Sequence, residues 1–411
     1  MEDLLFVLLV FVTLFFSVTT LILLHNRNHF KGLADYQKQH DTHSAQVYGS
    51  NLEFPPDYPL VSILIPARNE ESTLPVLLES LEYQDWPNLE IRILDDHSVD
   101  RTHHVTRKFI ERSRFHVSVH DGEEKPDDWL GKNWACHQLA KHAKGEILIF
   151  LDADTWLSPS AVRNIMESVR AYRLDFATVW PQQVMETTIE KAVISTVYST
   201  IALYLPARYS YRAPRWIPFR KLREKVKPMF ASACGQCMIF TKDTYQGTGG
   251  HAAVKDQVVE DVMLAKRIVR AGKTMRMFHG TDHLWCRMYK SGTEVFHGFR
   301  KNFFAGFGYR FLPFMSAWAL HVAAYLLPPA VLVLAVGGLL PFPKSHLLFI
   351  LSFICVLVPF LQRLWVSKFL KWPVSTAILY LPGVLWFQVL AVVVIRDRVL
   401  GTGNVWKGRP L

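Results

Sequence analysis

The sequence predicts an α/β domain, a parallel sheet covered by helices on both faces, with one membrane helix before it and about three after it. Three observations predict this. Strand-like apolar runs alternate with amphipathic helical segments between residues 58 and 151. Acidic residues recur directly after those runs. Apolar stretches long enough to cross a bilayer flank the domain on both sides.

The chain has 411 residues, enough for one large domain plus membrane segments. Half of them (50%) are hydrophobic, and they cluster in long runs. The net charge of +10 suits an anionic membrane surface or an anionic substrate. With four apolar runs beside it, that charge gives no reason to expect a nucleic-acid partner. Five cysteines (Cys136, Cys234, Cys237, Cys286, Cys355) are too few and too scattered for a disulfide framework. Reduced thiols fit a domain facing the cytosol.

Residues 4–24 are almost wholly apolar and uncharged, which predicts a membrane-spanning anchor over residues 1–25. A cleaved signal peptide fits less well, because Glu2 and Asp3 stand where a basic start belongs. Arg27 and Lys31 follow the helix, so the positive-inside rule puts the next part in the cytoplasm. Residues 26–57 read as a linker and 58–311 as the α/β domain. Residues 312–396 contain three more apolar runs, near 313–340, 346–366 and 373–395, before a basic tail at 397–411. Arg363, Lys368 and Lys371 mark the last interval between runs as a cytoplasmic loop. Four full crossings would leave the basic tail outside, against the same rule. A break at Pro328-Pro329 or at Pro382-Gly383 would resolve the conflict.

Within the domain, residues 60–65, 90–94, 115–119 and 146–151 read as strands. Residues 72–81, 102–112 and 133–142 read as helices between them. Ligands of such sheets bind beyond the carboxyl ends of the strands. Pro66-Ala-Arg68-Asn-Glu70 follows the first strand, Asp95-Asp96-His-Ser98-Val-Asp100 the second, and Asp152-Ala-Asp154 the fourth. Carboxylates gathered at one edge repel one another and call for a cation. A hard divalent ion, Mg²⁺ or Mn²⁺, held by a few carboxylates and by diphosphate oxygens answers that need. Each motif alone has a plainer reading. Asp95-Asp96-His-Ser98 also fits an Asx turn that caps a helix, and Glu260-Asp261 an acidic first turn. The order and placement together are more specific.

Pro66 to Glu70, Asp95-Asp96-His-Ser98-x-Asp100-x-Thr102, Gly131-Lys132, Asp152-Ala-Asp154 and Glu260-Asp261 resemble, in order, the motifs of family 2 glycosyltransferases of the GT-A (Rossmann-like) fold. Trp129-Leu-Gly-Lys-Asn-Trp-Ala-Cys136, Arg287-Met-Tyr289, Gly298-Phe-Arg-Lys301-Asn302 and Trp406-Lys-Gly-Arg409 are similar to the subgroup acting on hydrophobic lipids. That subgroup includes the hopene-associated and the carotenoid-acid (diaponeurosporenoate) enzymes. The resemblance covers about residues 58–310 and the tail. It implies inverting transfer of a single sugar from a nucleotide-sugar, a UDP-sugar first, to a lipid acceptor at the plasma membrane.

The resemblance also implies roles. Pro66, Arg68, Glu70, Asp95, Asp96, Lys132 and Asp152 would bind the donor, and Asp152 and Asp154 the metal. Asp261, with Glu260, would take the acceptor proton, at a helix start that favours a carboxylate. Gly235, Gln236, Arg287, Arg300, Lys301, Trp406, Lys407 and Arg409 are candidates for the acceptor or the diphosphate. The Gln-x-x-Arg-Trp motif of processive synthases is missing; Phe299-Arg-Lys-Asn302 stands there instead, which argues against polymerisation. Alternatives stay open: transfer to polyprenyl phosphate or a growing glycan, an inactive membrane scaffold, or a nucleotidyltransferase. The sugar, the nucleotide, the acceptor and the oligomeric state are not legible.

Two further features stand out. Cys234-Gly-Gln-Cys237 has zinc-like spacing but no second pair, so it reads as a strand edge. Residues 204–228 interleave Tyr204, Tyr209, Tyr211, Trp216 and Phe219 with eight Lys or Arg, a mixture suited to a membrane interface.

Overall fold

The computed structural model describes residues 2–35, 58–339, 345–400, 405–406 and 409–410. The chain forms two compact units. One comprises residues 29–184 and 207–288, the other residues 1–28, 185–206 and 289–411. The sequence reading cut the chain at 25, 57, 311 and 396. The units are instead interleaved, and residues 185–206 and 289–311 belong with the apolar helices.

In the first unit, β1 (Lys31–Gly32), β2 (Val61–Ala67), β3 (Leu89–Asp95), β4 (His116–Asp121), β5 (Ile147–Leu151), β6 (Thr155–Leu157), β7 (Phe176–Trp180), β8 (Gln182–Gln183), β9 (Cys237–Thr241), β10 (Met275–His279) and β11 (Leu284–Cys286) follow in order. Eight of them form one sheet in the order β1-β10-β7-β9-β5-β2-β3-β4. The four strands legible in the sequence, β2 to β5, are mutually parallel. The rest is mixed, because β9 runs antiparallel to both β5 and β7. A small sheet, β6-β11-β8, sits after β5. β1 falls in the stretch read as linker and pairs with β10 at the sheet edge.

The reasons are local. β2, β5 and β9 read as continuous apolar runs, since strands covered on both faces need no alternation. The Leu74–Glu82 helix buries Leu74, Leu77, Leu78 and Leu81, a spacing that makes one apolar stripe. Its Pro75 stands in the first turn, where a missing N–H costs nothing.

One polar group is buried far from the carboxyl edge. Glu90 on β3 accepts hydrogen bonds from Arg92 (2.7 Å), the Lys144 amide (2.6 Å) and the Ser62 hydroxyl. Burial alone would raise its pKa, but these donors hold it down at about 2. Gly145 closes the network, because a Cβ there would lie 2.6 Å from Ser62 Oγ and 2.7 Å from Leu60 O.

In the second unit, among the described residues, four helices are long and apolar enough to cross a membrane: Glu2–His29, Phe311–Val336, His346–Phe369 and Tyr380–Val399. The second bends at Leu326, just before Pro328-Pro329. The last run breaks at Leu379, ahead of Pro382-Gly383. Arg363 corrects the loop reading. It lies inside the Ser345–Phe369 helix, buried, and donates to Ser195 O (2.8 Å) and Ser195 Oγ (2.6 Å). Ser195 belongs to the Thr188–Tyr204 helix, whose start is capped by Thr187 and Glu190. Gln362 donates to Phe16 O (3.1 Å), Thr19 Oγ1 (2.9 Å) and Thr20 Oγ1 (2.8 Å), tying the first span to the third.

Candidate functional site

The carboxyl ends of β2, β3 and β5 carry the motif residues. After β2 and β3, two loops lace together. The Asp96 amide donates to Ala67 O (2.8 Å), Glu70 N to Thr102 Oγ1 (2.8 Å), and Asn69 N to Ser98 Oγ (2.9 Å). Asp100 accepts from Thr102 N (2.9 Å) and Thr102 Oγ1 (2.5 Å), which holds its carboxyl below the usual range against burial.

The two adjacent aspartates divide the work. Asp95 accepts from Ser98 N at 2.9 Å, the plain turn-capping arrangement. Asp96 instead faces Arg68, whose guanidinium reaches Asp96 O at 2.7 Å and Oδ2 at 3.7 Å. Gly122 lets β4 pass closely, since a Cβ there would lie 3.3 Å from both Asp95 O and Asp96 Cα. Pro66 is the penultimate residue of β2, and the Thr73 hydroxyl donates to Glu70 Oε2 at 2.6 Å.

Lys132 is the centre of charge. Its ammonium lies 2.8 Å from Asp152 Oδ1 and 3.3 Å from Glu260 Oε1. Burial opposes its charge, but Asp152 and Glu260 outweigh it and hold Lys132 well above the usual ammonium range. The Gly131–His142 helix carries it, and buried Asn133 one residue on donates to Val254 O, Lys255 O and Gln257 O (2.9, 3.2 and 3.0 Å). This grip fixes the loop before Glu260.

Four acids face this one lysine in the site. Two of them are pushed up to about 7. For Asp154 the causes are burial, then Asp152 and Glu70; for Asp261, burial, then Glu260. Asp261 opens the Glu260–Arg270 helix. It accepts from Gly235 N (2.8 Å) and Val262 N (2.7 Å). Gly235 leaves no slack for a side chain, because a Cβ would sit 3.2 Å from Lys132 Nζ, 3.3 Å from Glu260 Oε1 and 3.5 Å from Asp261 Oδ2.

Asp154 keeps Oδ1 buried with no hydrogen-bond partner, and the Cys286 thiol lies near its carboxyl. An orphaned carboxylate oxygen beside Asp152, in a site with surplus negative charge, fits a hard divalent cation. Among the described residues no group of three or more His, Cys, Asp or Glu side chains forms a ready metal cage. Any such ion would therefore draw ligands from substrate oxygens.

The remaining candidates divide. Gln236 is buried. Its amide is bonded to Gln183 (3.0 Å) and Cys286 Sγ (2.9 Å), while its carbonyl accepts from Asp152 N (3.2 Å). It positions Asp152 through the main chain. Arg287 N reaches Asp154 O at 3.3 Å. Arg300 and Lys301 lie on the Gly292–Ala305 helix of the other unit, where Arg300 holds Asp397 at 2.6 Å. Trp406 and Arg409 pair through their backbones, and Lys407 lies outside the described residues. All five cysteines are buried thiols. Sequence reasoning missed Cys286, Gln183 and Gly122, which act only through contacts made in three dimensions.

Residues 62–245 match the family model of glycosyl transferase family 2. The chain is similar to curated proteins named 4,4'-diaponeurosporenoate glycosyltransferase. That of Staphylococcus haemolyticus is 27% identical over 60% of this chain and 61% of the relative. That of Staphylococcus aureus (strain USA300) is 25% identical over 64% and 65%. The chain thus spans less than two thirds of the length of these relatives. Among solved structures it is similar to a mannosyltransferase from Pyrobaculum calidifontis in complex with GDP-Man and Mn²⁺, at TM-score 0.48 and 16% identity, covering 94% of this chain and 99% of that one. The motifs at the ends of β2, β3 and β5 fall within the residues that the glycosyl transferase family 2 model matches.

Proposed function

We propose that this chain transfers a single sugar, with inversion, from a nucleotide-sugar donor, a UDP-sugar first, to a hydrophobic lipid acceptor at the membrane. The observation that carries the proposal is Lys132 held between Asp152 and Glu260, beside Asp261 in a Gly235 amide clasp.

In this reading Arg68 and Asp96 hold the base and ribose end of the donor, where backbone amides and carboxylate oxygens line the β2 and β3 loops. Lys132 exchanges its carboxylate partners for diphosphate oxygens. Asp152 and Asp154 would hold a divalent ion, Mg²⁺ or Mn²⁺, which would supply positive charge against the diphosphate. Asp261 takes the proton from the acceptor hydroxyl as that oxygen forms its bond to the anomeric carbon. The bond from that carbon to the diphosphate oxygen breaks, and its electron pair leaves with the nucleotide. One displacement inverts the anomeric centre. A buried carboxyl near 7 suits this task, since it holds a proton well yet is half ionised near neutral pH.

The names of the relatives support an acceptor of carotenoid-acid type, with hopanoid or glycolipid acceptors in the same class. Four candidate spans support a multi-pass protein, and the charge pattern around the first supports a cytoplasmic site at the plasma membrane.

The test is nucleotide release by the detergent-solubilised protein across UDP-, GDP- and dTDP-sugars, with Mn²⁺ or Mg²⁺ and with EDTA. Release from one donor that needs metal, Asp154 and Asp261, and that rises with added lipid, is expected. No release and no donor binding under any condition would favour the inactive scaffold.

A further inference from the structure

Residues 207–230 carry a strongly one-signed run of charge. The stretch contains Arg208, Arg212, Arg215, Arg220, Lys221, Arg223, Lys225 and Lys227 against a single acid, Glu224. Ordinary surfaces intersperse the two signs. Among the described residues, Arg215, Arg220, Lys221 and Lys225 have no carboxylate within ion-pair reach.

Large apolar side chains stand out between these charges. Trp216 is 69% exposed, Phe219 70%, Leu222 44% and Met229 72%. These are the side chains a soluble surface hides.

The segment is pinned from beneath. Ser210, Ile217 and Pro228 are buried, and the rings of Tyr209 and Phe230 meet at 5.1 Å. Trp216 Nε1 donates to Tyr209 Oη at 3.1 Å. The Arg276 guanidinium on β10 lies between the rings of Tyr172 (3.9 Å) and Tyr211 (4.5 Å), which fastens the segment to the main sheet. The exposed residues therefore form a shaped platform whose apolar side chains and positive charges share one stretch of chain.

We propose that residues 207–230 dock onto the headgroups of anionic phospholipids, with Trp216, Phe219 and Met229 entering the interface. The charge selects this partner: unpaired Lys and Arg gain from a negative leaflet, and each adds to binding. The protruding aromatics distinguish a bilayer from a soluble acidic protein, since they need an apolar layer to enter. This inference stands apart from the proposed reaction, because its readout requires no turnover.

The test places the full chain in nanodiscs of phosphatidylcholine alone or with phosphatidylglycerol, each with brominated acyl chains. The Trp216 signal is the emission difference between wild type and Trp216→Phe. Expected is strong bromine quenching of that difference in the anionic discs, most of which is lost at high salt and in zwitterionic discs. The combined Arg215→Gln, Arg220→Gln, Lys221→Gln, Lys225→Gln protein should lose it as well. Salt and lipid dependence of the wild type need no variant to fold. Absence of quenching in anionic discs would overturn the proposal. So would equal quenching in zwitterionic discs at high salt, which would mean insertion without charge recognition.

Discussion

The backbone N–H of Gly235 donates to Oδ2 of Asp261 at 2.8 Å, and no Cβ stands between that amide and the Lys132–Glu260 pair. The carboxylate is thus placed by main chain, and three charged groups crowd the space a side chain would take. Gly235→Ala should push Lys132 and Glu260 aside by tenths of an ångström. We expect turnover to fall by on the order of a hundredfold, as small misplacements of reacting groups do, with the melting temperature little changed. Steady-state nucleotide release and a thermal melt measure both. An active Gly235→Ala enzyme would show that this clasp does not position the base.

Asp261→Asn removes the proposed proton acceptor and leaves the shape. Turnover should drop about 10²- to 10⁴-fold while donor binding persists. The wild-type kcat/KM should climb as pH rises through about 7, because only the ionised carboxylate accepts a proton. Asp154 has the same raised value, so the profile is run at saturating metal, which pulls a liganding carboxylate below this range. A limb near 7 surviving in Asp261→Asn would remove Asp261 from the role.

Without metal or nucleotide, the stability contributed by Asp154 and Asp261 should fall as pH rises. Asp154 and Asp261 have folded-state values near 7 against an ordinary 3.8. A raised value means that the unfolded chain ionises first. The stability is whole below about 4 and is lost as pH approaches 7. Buried His251 and His279, held down at about 3 and about 4, act in the opposite sense, so the readout is the melting of the wild type minus that of Asp154→Asn in detergent at about pH 5 and about pH 7.5. A difference independent of pH would show that Asp154 is not held protonated.

Glu90 tests the scaffold apart from the chemistry. With Arg92 it forms an ion pair whose members are only 2% and 5% exposed. Removing one partner strands the other, so Glu90→Ala should cost about 3–5 kcal/mol of unfolding free energy. Nucleotide release per folded molecule should stay unchanged, since Glu90 sits at the opposite end of β3 from Asp95. Denaturant melts and active-site-normalised rates measure the two separately.

The sequence was most legible where local pattern and chemistry coincide. β2 to β5 announced themselves as apolar runs followed by acids, and the helix at Thr102–Arg112 fell on its predicted residues. Asp95 and Asp96 looked alike in sequence. Only the fold separates them, by giving Asp95 the Ser98 amide and Asp96 the Arg68 guanidinium. The second half of the sheet was not read, because β9 pairs with partners far away in the chain and has no periodic signal of its own. Arg363 misled because a lone arginine between apolar runs usually marks a loop. Its buried place depends on Ser195 O and Oγ, which hydropathy does not register. Gln236 drew notice for its neighbours Cys234 and Cys237, and its amide meets Cys234 but also Gln183 and Cys286, which lie far away in the chain.

The bonds from Gln362 to Phe16, Thr19 and Thr20 join residues separated by up to 346 positions. During synthesis the Glu2–His29 helix leaves the ribosome long before the Ser345–Phe369 helix exists. Until then it waits with those hydroxyls and that carbonyl unclaimed by Gln362. A nascent chain stalled in between would present a half-finished bundle to the insertion and quality-control machinery. Completion of this unit is therefore a late event, and a nonsense product ending before residue 345 should be cleared by membrane proteases while its full-length sister survives.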